Sequence, residues 1–295
     1  MILTELAKEI PLLHILYSLV LMSGLYQIGH LIFKFKSLNI IISQVSEIKY
    51  QKILISTNLI LLISYPIILF TNNLNIIPFL SFSIFTLGII NIFRNIKKNL
   101  YFIKIDLKKF KFDQYLVIIV LVLLFFLSLS PNTHGDSLGY HFVVAKKLLI
   151  TGNYLADITH FHSLLSGSGE ILIAIGLYFG AEQFGNLLQF SGLISIYGIF
   201  KKLNKKYKFY FYLLLLTSPI ILFLSSTAKP QLFHICSTAL VFSLYFFGNK
   251  NILVSKEKKL QILISIFILI VSVTAKFNFI ISSFLITIFI FYNSI

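Results

Sequence analysis

Residues 114–130 read QYLVIIVLVLLFFLSLS, a run of aliphatic and aromatic side chains without a charged residue. A run of this length and composition is typical of a helix that crosses a bilayer. It is followed at once by residues 130–136, Ser-Pro-Asn-Thr-His-Gly-Asp, where the polarity changes within a few positions. The chain therefore leaves a membrane at this point and enters a polar loop.

The composition extends this conclusion to the whole chain. Of its 295 residues, 57% are hydrophobic and 12% are charged, and the mean hydropathy is +0.90. Soluble domains carry about 25% charged residues, so this chain has too little charge to cover a water-facing surface. The composition excludes a soluble enzyme, a fibrous protein and a disordered protein, and it indicates a polytopic membrane protein.

Apolar runs long enough to span a bilayer recur along the chain, and residues 169–200 form a further apolar stretch that is too long for one simple span. Because Gly180-Ala-Glu-Gln-Phe-Gly185 interrupts that stretch, it is either two half-length helices or one span preceded by an interfacial helix. We predict an all-α transmembrane helix bundle of about nine or ten spans. The simple runs lie near 11–33, 53–70, 75–93, 114–130, 209–225, 231–248, 260–275 and 278–293.

Basic residues cluster between these runs, which predicts the topology. If the spans alternate, and residues 169–200 cross an odd number of times, 20 of the 25 basic residues fall on one side. By the positive-inside rule this side is cytoplasmic, which places the N-terminus outside and the C-terminus inside. The same pattern argues against a nucleic-acid partner and favours a multi-pass membrane protein. The clusters are Lys34, Lys36, Lys49 and Lys52; Arg94, Lys97, Lys98, Lys104, Lys108, Lys109 and Lys111; Lys201, Lys202, Lys205, Lys206 and Lys208; and Lys250, Lys256, Lys258 and Lys259.

The long outer loop, residues 131–168, carries most of the polar chemistry. Pro131 and Gly135 interrupt the helix that leaves the membrane, and Asp136 or Ser137 can cap a new one. An amphipathic helix is predicted at 137–151 along the outer interface. Its apolar face contains Tyr140, Phe142, Val143, Leu148 and Leu149, and Gly152-Asn153 end it.

The chain divides into two parts in this interpretation. Residues 1–113 form N-terminal spans and a basic cytoplasmic loop, and residues 114–295 form a transmembrane core. The basic amphipathic stretch at 94–113 favours contact with anionic lipid. A docking site for a cytoplasmic partner is the alternative for that stretch.

The outer-face residues resemble a known enzyme family. Asp136-x-x-x-Tyr140 followed by Ala145 and Gly152, directly after a span, resembles the first outer loop of the GT-C glycosyltransferases, which include protein mannosyltransferases and the lipid A aminoarabinose transferase. Asp-Ser-Leu-Gly-Tyr-His is similar to a bacterial branch with the motif D-x-L-x-Y-H-L. The resemblance covers about residues 114–290 and continues through Leu164-Leu-Ser-Gly-Ser-Gly-Glu170, Leu177-Tyr-Phe-Gly180, Ser225-Ser-Thr-Ala-Lys-Pro-Gln231 and Thr274-Ala-Lys276-Phe-Asn278.

This resemblance implies an inverting transfer of a hexose or pentose from a polyprenyl-phosphate donor to an envelope glycan, lipid or protein. It also implies a multi-pass protein of a bacterial inner (plasma) membrane with its active face outward. The sequence departs from the family at Ser168-Gly169, where members often have Pro before the glutamate, and at Gln231, where many have Asp. It is also short, since many members have further spans or an outer C-terminal domain. A core truncated at the C-terminus, or a degenerate enzyme, is therefore one alternative.

Each candidate site residue has a chemical reason. A phosphate leaving group needs no acid, so one base suffices, and Asp136 at the interface is the candidate catalytic base. Lys229 and Lys276 at outer span ends would bind the donor phosphate. Tyr140, His141 and Glu170 are candidate substrate-binding residues, although a glutamate at this position also favours the start of a helix.

No cofactor is certain, and no metal site is predicted outright. A divalent metal bound by Asp136 with His134, His141, His160 and His162 is the weaker alternative. Two further functions stay open from the sequence. A transporter or flippase of lipid-linked saccharides predicts polar groups in the spans and helices broken at mid-membrane. A non-catalytic scaffold that kept the fold after losing the site is consistent with the short chain and with Gln231.

Overall fold

The computed structural model describes residues 11–71, 73–99, 112–153, 167–202, 208–248 and 253–294. Within these ranges the chain is helical and contains no β-strand, which confirms the predicted all-α class. The helices are α1 (Pro11–Ile32), α2 (Lys36–Ser43), α3 (Ile48–Thr71), α4 (Ile76–Asn99), α5 (Phe112–Ser128), a π-helical turn (Ser137–His141), α6 (Phe142–Thr151), α7 (Gly169–Leu177), α8 (Phe184–Lys202), α9 (Lys208–Leu216), α10 (Pro219–Ser225), α11 (Leu232–Phe246), α12 (Ser255–Ala275), a 3₁₀ turn (Phe277–Phe279) and α13 (Ile280–Ser294).

Four stretches of the described residues are long and apolar enough to cross a membrane. They are Leu12–Ile32, Ile48–Thr71, Ile76–Ile96 and Ser255–Ala275, and shorter apolar helices lie at Gln114–Ser128, Leu232–Phe246 and Phe277–Tyr292. Large apolar side chains such as Phe70, Phe79 and Phe93 remain exposed on the bundle surface. Exposed apolar surface of this extent is typical of contact with lipid, so the chain is a membrane protein.

The stretch predicted as one span at 209–225 is instead two helices. α9 ends at Leu216 and α10 begins at Pro219, because proline lacks the backbone N–H that would continue the helical ladder. The residue before it, Ser218, has an extended backbone (φ −62°, ψ 129°) as expected before proline. The prediction of an unbroken span here was wrong.

The ambiguous stretch 169–200 divides into α7 and α8. Gly180, with a φ of +70°, turns the chain between them. Both Gly169 and Gly185 pack on residues 228–230, since a Cβ added to them would lie 2.5 Å from Pro230 Cβ and 3.0 Å from Ala228 Cβ. The starts of α7 and α8 therefore lie at the same end of the bundle. Every residue from 169 to 176 in the short helix α7 is buried. Of the two helices, α8 is the one that runs the length of the bundle.

Contacts between distant segments define two ends of the bundle. At the site end, His14 Nδ1 contacts the Gly180 carbonyl oxygen, and Asp136 contacts Lys229. At the basic end, Lys201 binds Glu47 at 2.8 Å. The main helices run between these ends in alternating directions, so the described parts of the basic clusters share one end and the polar loop after α5 occupies the other.

Buried polar pairs link the helices between the two ends. Gln51 Nε2 donates to the Ser195 carbonyl oxygen at 2.9 Å, which joins α3 to α8. Asn58 Nδ2 donates to Ser237 Oγ at 3.0 Å, which joins α3 to α11. In an apolar surrounding such polar groups require internal partners, and these bonds set the register of the helices that carry the site.

Candidate functional site

The helix predicted at 137–151 is present and places the main polar residues. It comprises the π-helical turn followed by α6, and it ends at Gly152, whose φ of +67° is left-handed. Ser137, His141, Ala145 and Leu148 recur at helical spacing and are buried, because this face packs on α7. The buried stripe thus includes two polar residues that the predicted apolar face did not contain.

Asp136 does not cap this helix, contrary to one of the two predicted caps, and Ser137 lies inside the π-helical turn. The Asp136 side chain makes no capping hydrogen bond. Its Oδ2 instead accepts a hydrogen bond from Lys229 Nζ at 2.5 Å. The carboxylate binds the lysine rather than a backbone N–H, because the hydrogen bond to a full positive charge is the stronger of the two. The expectation of an Asp136 cap was therefore wrong, although Asp136 does lie beside the start of the helix.

The ion pair is asymmetric in exposure. The Asp136 side chain is 63% exposed, whereas that of Lys229 is 12% exposed. The hydrogen bond from Lys229 lowers the pKa of Asp136 below its usual range. Asp136 is therefore an ionised carboxylate that is open to solvent and held in place by a largely covered cation.

The Lys229 side chain is positioned by the turn between α10 and α11. Ala228 packs on Gly185 of α8 and Pro230 packs on Gly169 of α7, so both neighbours of Lys229 are buried. The Lys229 ammonium also lies 5.1 Å from the centre of the Phe223 ring, within the range of a cation–π contact. The turn that the sequence singled out at 225–231 thus carries its lysine toward the polar loop.

Lys276 approaches the same region from α12. It follows the last residue of α12 with an extended backbone, φ −153° and ψ 126°. Its Nζ lies 6.0 Å from the centre of the Tyr140 ring. Burial lowers the pKa of Lys276, nearby Lys229 lowers it further, and the charges of Glu170 and Asp136 partly oppose this. Lys276 therefore lies in the electrostatic environment of the Asp136–Lys229 pair, since the charges of both residues act on it.

His141 and Glu170 form a buried pair that sequence reasoning did not anticipate. His141 Nδ1 donates to Glu170 Oε1 at 2.8 Å, and both side chains are at most 1% exposed. Glu170 Oε2 accepts the Gly167 N–H at 2.7 Å. His141 Nε2 is buried and has no hydrogen-bond partner among the described residues. The helical spacing of His141 on the buried stripe was the signal that would have placed it inside.

Glu170 does lie in the first turn of α7, as the alternative interpretation expected. Beside it, Ser168 N donates to the Thr274 carbonyl oxygen at 3.0 Å. The Ser168 and Thr274 hydroxyls are 3.1 Å apart. These bonds fix the Glu170 loop against the end of α12, next to Lys276. Four segments that are distant in the chain therefore meet at the site end.

The candidate residues thus separate into two layers. Asp136, Lys229, Lys276 and Tyr140 lie nearer the surface, whereas His141 and Glu170 lie beneath them and present no surface to a ligand. Among the residues described, no three His, Cys, Asp or Glu side chains gather as a metal site. His160 and His162, which belonged to the alternative metal set, lie outside the described residues, as do residues 100–111 of the basic amphipathic stretch.

All the candidate site residues lie within a stretch of the chain that is similar to a known protein family. Residues 100–294 match the DUF1420 N-terminal domain, about two thirds of the chain. The chain belongs to the DUF1420 N-terminal domain family. No curated protein and no solved structure matches it. The DUF1420 match spans every residue of the site, but its description names no activity.

Proposed function

We propose that the chain is a membrane glycosyltransferase that moves a sugar from a polyprenyl-phosphate donor to an envelope acceptor. The observation that carries this proposal is the Asp136–Lys229 pair, in which an exposed carboxylate is 2.5 Å from a largely covered ammonium group. A second ammonium group, that of Lys276, lies in the same electrostatic environment. One base beside two cations is what transfer from a phosphate-linked sugar requires.

The reaction balances with these residues alone. An acceptor hydroxyl or amine attacks the anomeric carbon of the donor, and the bond between that carbon and the phosphate oxygen breaks. Asp136 takes the proton of the acceptor, while the electron pair leaves with the phosphate oxygen of the polyprenyl carrier. Lys229 and Lys276 stabilise the negative charge on the departing phosphate. Attack from the side opposite the leaving group inverts the configuration of the sugar.

Lys229 has two partners in this mechanism. Without donor it binds Asp136, and with donor the phosphate competes for the same ammonium group. Its contact with Asp136 keeps the carboxylate ionised, as a base must be. Tyr140 lies beside Lys276 and is placed to contact the donor or acceptor. His141 and Glu170 act beneath as positioning residues, since their bond holds the π-helical turn before α6 and the first turn of α7 together.

The proposal includes an orientation in the membrane. With α9 and α10 counted as one broken crossing, the described helices pass nine times between the two ends. The basic end then faces the cytoplasm by the positive-inside rule, and the site end faces outward from a bacterial inner membrane. In this orientation the proposed donor would bring its phosphate to Lys229 and Lys276 at headgroup depth.

Turnover and donor binding test the proposal separately. Purified protein in liposomes is given a panel of polyprenyl-phosphate sugars together with an envelope extract as the source of acceptor, and release of polyprenyl phosphate is measured. Binding of polyprenyl phosphate itself is measured in parallel. We expect Asp136→Asn to abolish release but bind the carrier, and Lys276→Ala to weaken carrier binding. Lys146→Ala is the matched control, because Lys146 is exposed on α6 of the same end.

The outcomes are distinct. Full turnover by correctly inserted Asp136→Asn protein would remove Asp136 as the base. Equal carrier binding by Lys276→Ala and Lys146→Ala would remove the phosphate role of Lys276. Either result would leave the chain without the machinery that the proposal needs.

A second candidate, a transporter of lipid-linked saccharides, is favoured by the break between α9 and α10. Discontinuous helices are common at the binding sites of transporters, and this break lies within a stretch long enough to cross the bilayer. Movement of a fluorescent lipid-linked saccharide across liposomes without an acceptor tests this candidate. Movement that is retained in Asp136→Asn protein would favour the transporter over the enzyme.

A further inference from the structure

A second polar cavity lies at the basic end, on the opposite side of the bundle from Asp136. Its volume is 210 Å³ and it lies between α1, α3 and α4. Every described residue that lines it is polar, and none is acidic. We call it the basic-end pocket; its lining is Tyr26, Gln27, His30, Lys52, Asn91, Arg94 and Asn95.

The cations of the basic-end pocket are set among hydrogen-bonding groups. Lys52 Nζ donates to Tyr26 Oη at 3.0 Å and lies 3.4 Å from His30 Nδ1. By contrast, Lys49 and Lys201 at the same end of the bundle share the carboxylate of Glu47. The described lining of the pocket contains no carboxylate. The positive charges of Lys52 and Arg94 are therefore available to bind an anion.

Arg94 supplies the second charge, and it is the one arginine among the 25 basic residues of the chain. A guanidinium group binds two phosphate oxygens at once through its fork of N–H groups, which an ammonium group does not do. Asn95 Nδ2 donates to Asn91 Oδ1 at 2.9 Å, and Asn91 Nδ2 donates to Ser23 Oγ at 2.9 Å. This chain of amides holds the floor of the pocket beside Arg94.

Apolar side chains that adjoin the lining residues in the chain are exposed on the bundle surface. Leu31, Ile90 and Phe93 are 42%, 49% and 67% exposed, and they are the chain neighbours of His30, Asn91 and Arg94. We call these three side chains the apolar rim. A polar pocket with two cations, bordered by exposed apolar side chains at a helix end, matches the shape of a phospholipid. Its headgroup would enter the pocket while its acyl chains lie along α4. Basic pockets between helices on the cytoplasmic side commonly bind anionic headgroups.

We propose that the basic-end pocket binds the phosphate of an anionic membrane lipid through Lys52 and Arg94. The site is separate from Asp136 and does not depend on the proposed glycosyltransferase activity. The phosphate ester is the recognised group, and the apolar rim assigns it to a lipid rather than to a soluble phosphate.

Native mass spectrometry of the full chain in detergent tests the site. The protein is titrated with phosphatidylglycerol, with phosphatidylcholine as the zwitterionic comparison. We expect one phosphatidylglycerol to bind preferentially, and the variant Lys52→Gln/Arg94→Gln to weaken it about tenfold or more. The matched control is Lys34→Gln/Lys36→Gln, which removes the same charge from the same end but outside the pocket, and it should weaken binding far less.

Single variants and a soluble competitor sharpen the test. Arg94→Gln alone, at an exposed position, tests the pocket if the double variant fails to fold, and Arg94→Lys should retain only part of the affinity. Failure of a large molar excess of inorganic phosphate to displace the lipid supports the lipid source. Displacement would overturn that source and assign the site a soluble phosphate. Equal losses in the pocket and control double variants, or equal binding of phosphatidylcholine, would overturn the proposal.

Discussion

Glu170 and His141, 29 positions apart in the chain, meet in a hydrogen bond of 2.8 Å with both side chains buried. This bond joins the π-helical turn before α6 to the first turn of α7. Glu170 also accepts the Gly167 N–H, so one carboxylate ties the helix after Asp136 to the loop that contacts α12. The geometry of the surface layer therefore depends on a pair that does not itself reach the surface.

Removal of either partner should destabilise the protein strongly. Glu170→Ala or His141→Ala leaves the other polar group buried without its partner, and such changes typically cost about 3 kcal/mol or more in free energy of unfolding. The double variant should lose less than the sum of the two single losses, because both remove the same interaction. Thermal unfolding in detergent measures this, and strict additivity would contradict the coupling.

Gly167→Ala should separate the Glu170 loop from α12. A Cβ at this position would overlap the Thr274 carbonyl oxygen and lie 2.7 Å from that of Ala275. We expect a lower unfolding temperature and a loss of any activity that needs Lys276 beside Tyr140. The affected contact is backbone against backbone, so a side-chain rotation does not relieve it.

Gly139→Ala is the matched control for that substitution. Gly139 lies in the π-helical turn of the same site, and an added Cβ there meets nothing within 4 Å. Alanine is more favourable than glycine in a helix by about 1 kcal/mol, so the stability of this variant should be unchanged or slightly higher. Equal destabilisation by both variants would show that the close approach at Gly167 is not the cause.

The titration of Asp136 should report its contact with Lys229. Because its folded-state pKa is lowered, the ion pair contributes stability above the unfolded value of about 3.9 and loses it as the pH falls through the lower folded value. Carboxyl-labelled aspartate gives the midpoint by NMR, with the signal assigned by Asp136→Asn. Lys229→Gln should raise the midpoint toward the ordinary value, whereas Lys146→Gln should leave it unchanged.

Reporter fusions test the proposed orientation. Fusions after residues 100, 150 and 255 should report inside, outside and inside, because the basic end is drawn to the cytoplasm. A fusion after residue 73 should agree with that after 150, since residues 73 and 74 pack against Gly152 at the site end. An inside signal from the fusion after residue 150 would reverse the proposed orientation and place Asp136 on the cytoplasmic side.

Much of the helical architecture could be predicted because hydrophobic run length and periodicity are local properties. The helices at 11–32 and 76–99 and the helix ending at Gly152 follow from these patterns. The break before Pro219 was missed although proline is itself a local signal, because the apolar composition continues across it. The predicted Asp136 cap was wrong for another reason, since a lysine 93 positions away forms the ion pair with this carboxylate.

The sequence by itself determined that this is an all-helical membrane protein, that its basic residues gather between apolar runs, and that its polar chemistry concentrates in the loop after residue 130. These properties depend on composition and on spacing along one helix. Only the tertiary structure decided that Lys229 pairs with Asp136, that His141 and Glu170 meet in the interior, and that Lys52 and Arg94 line one pocket. Such pairings depend on how separate helices pack and align. The sequence pattern of one helix indicates which of its faces is buried, but it does not indicate the helix against which that face packs.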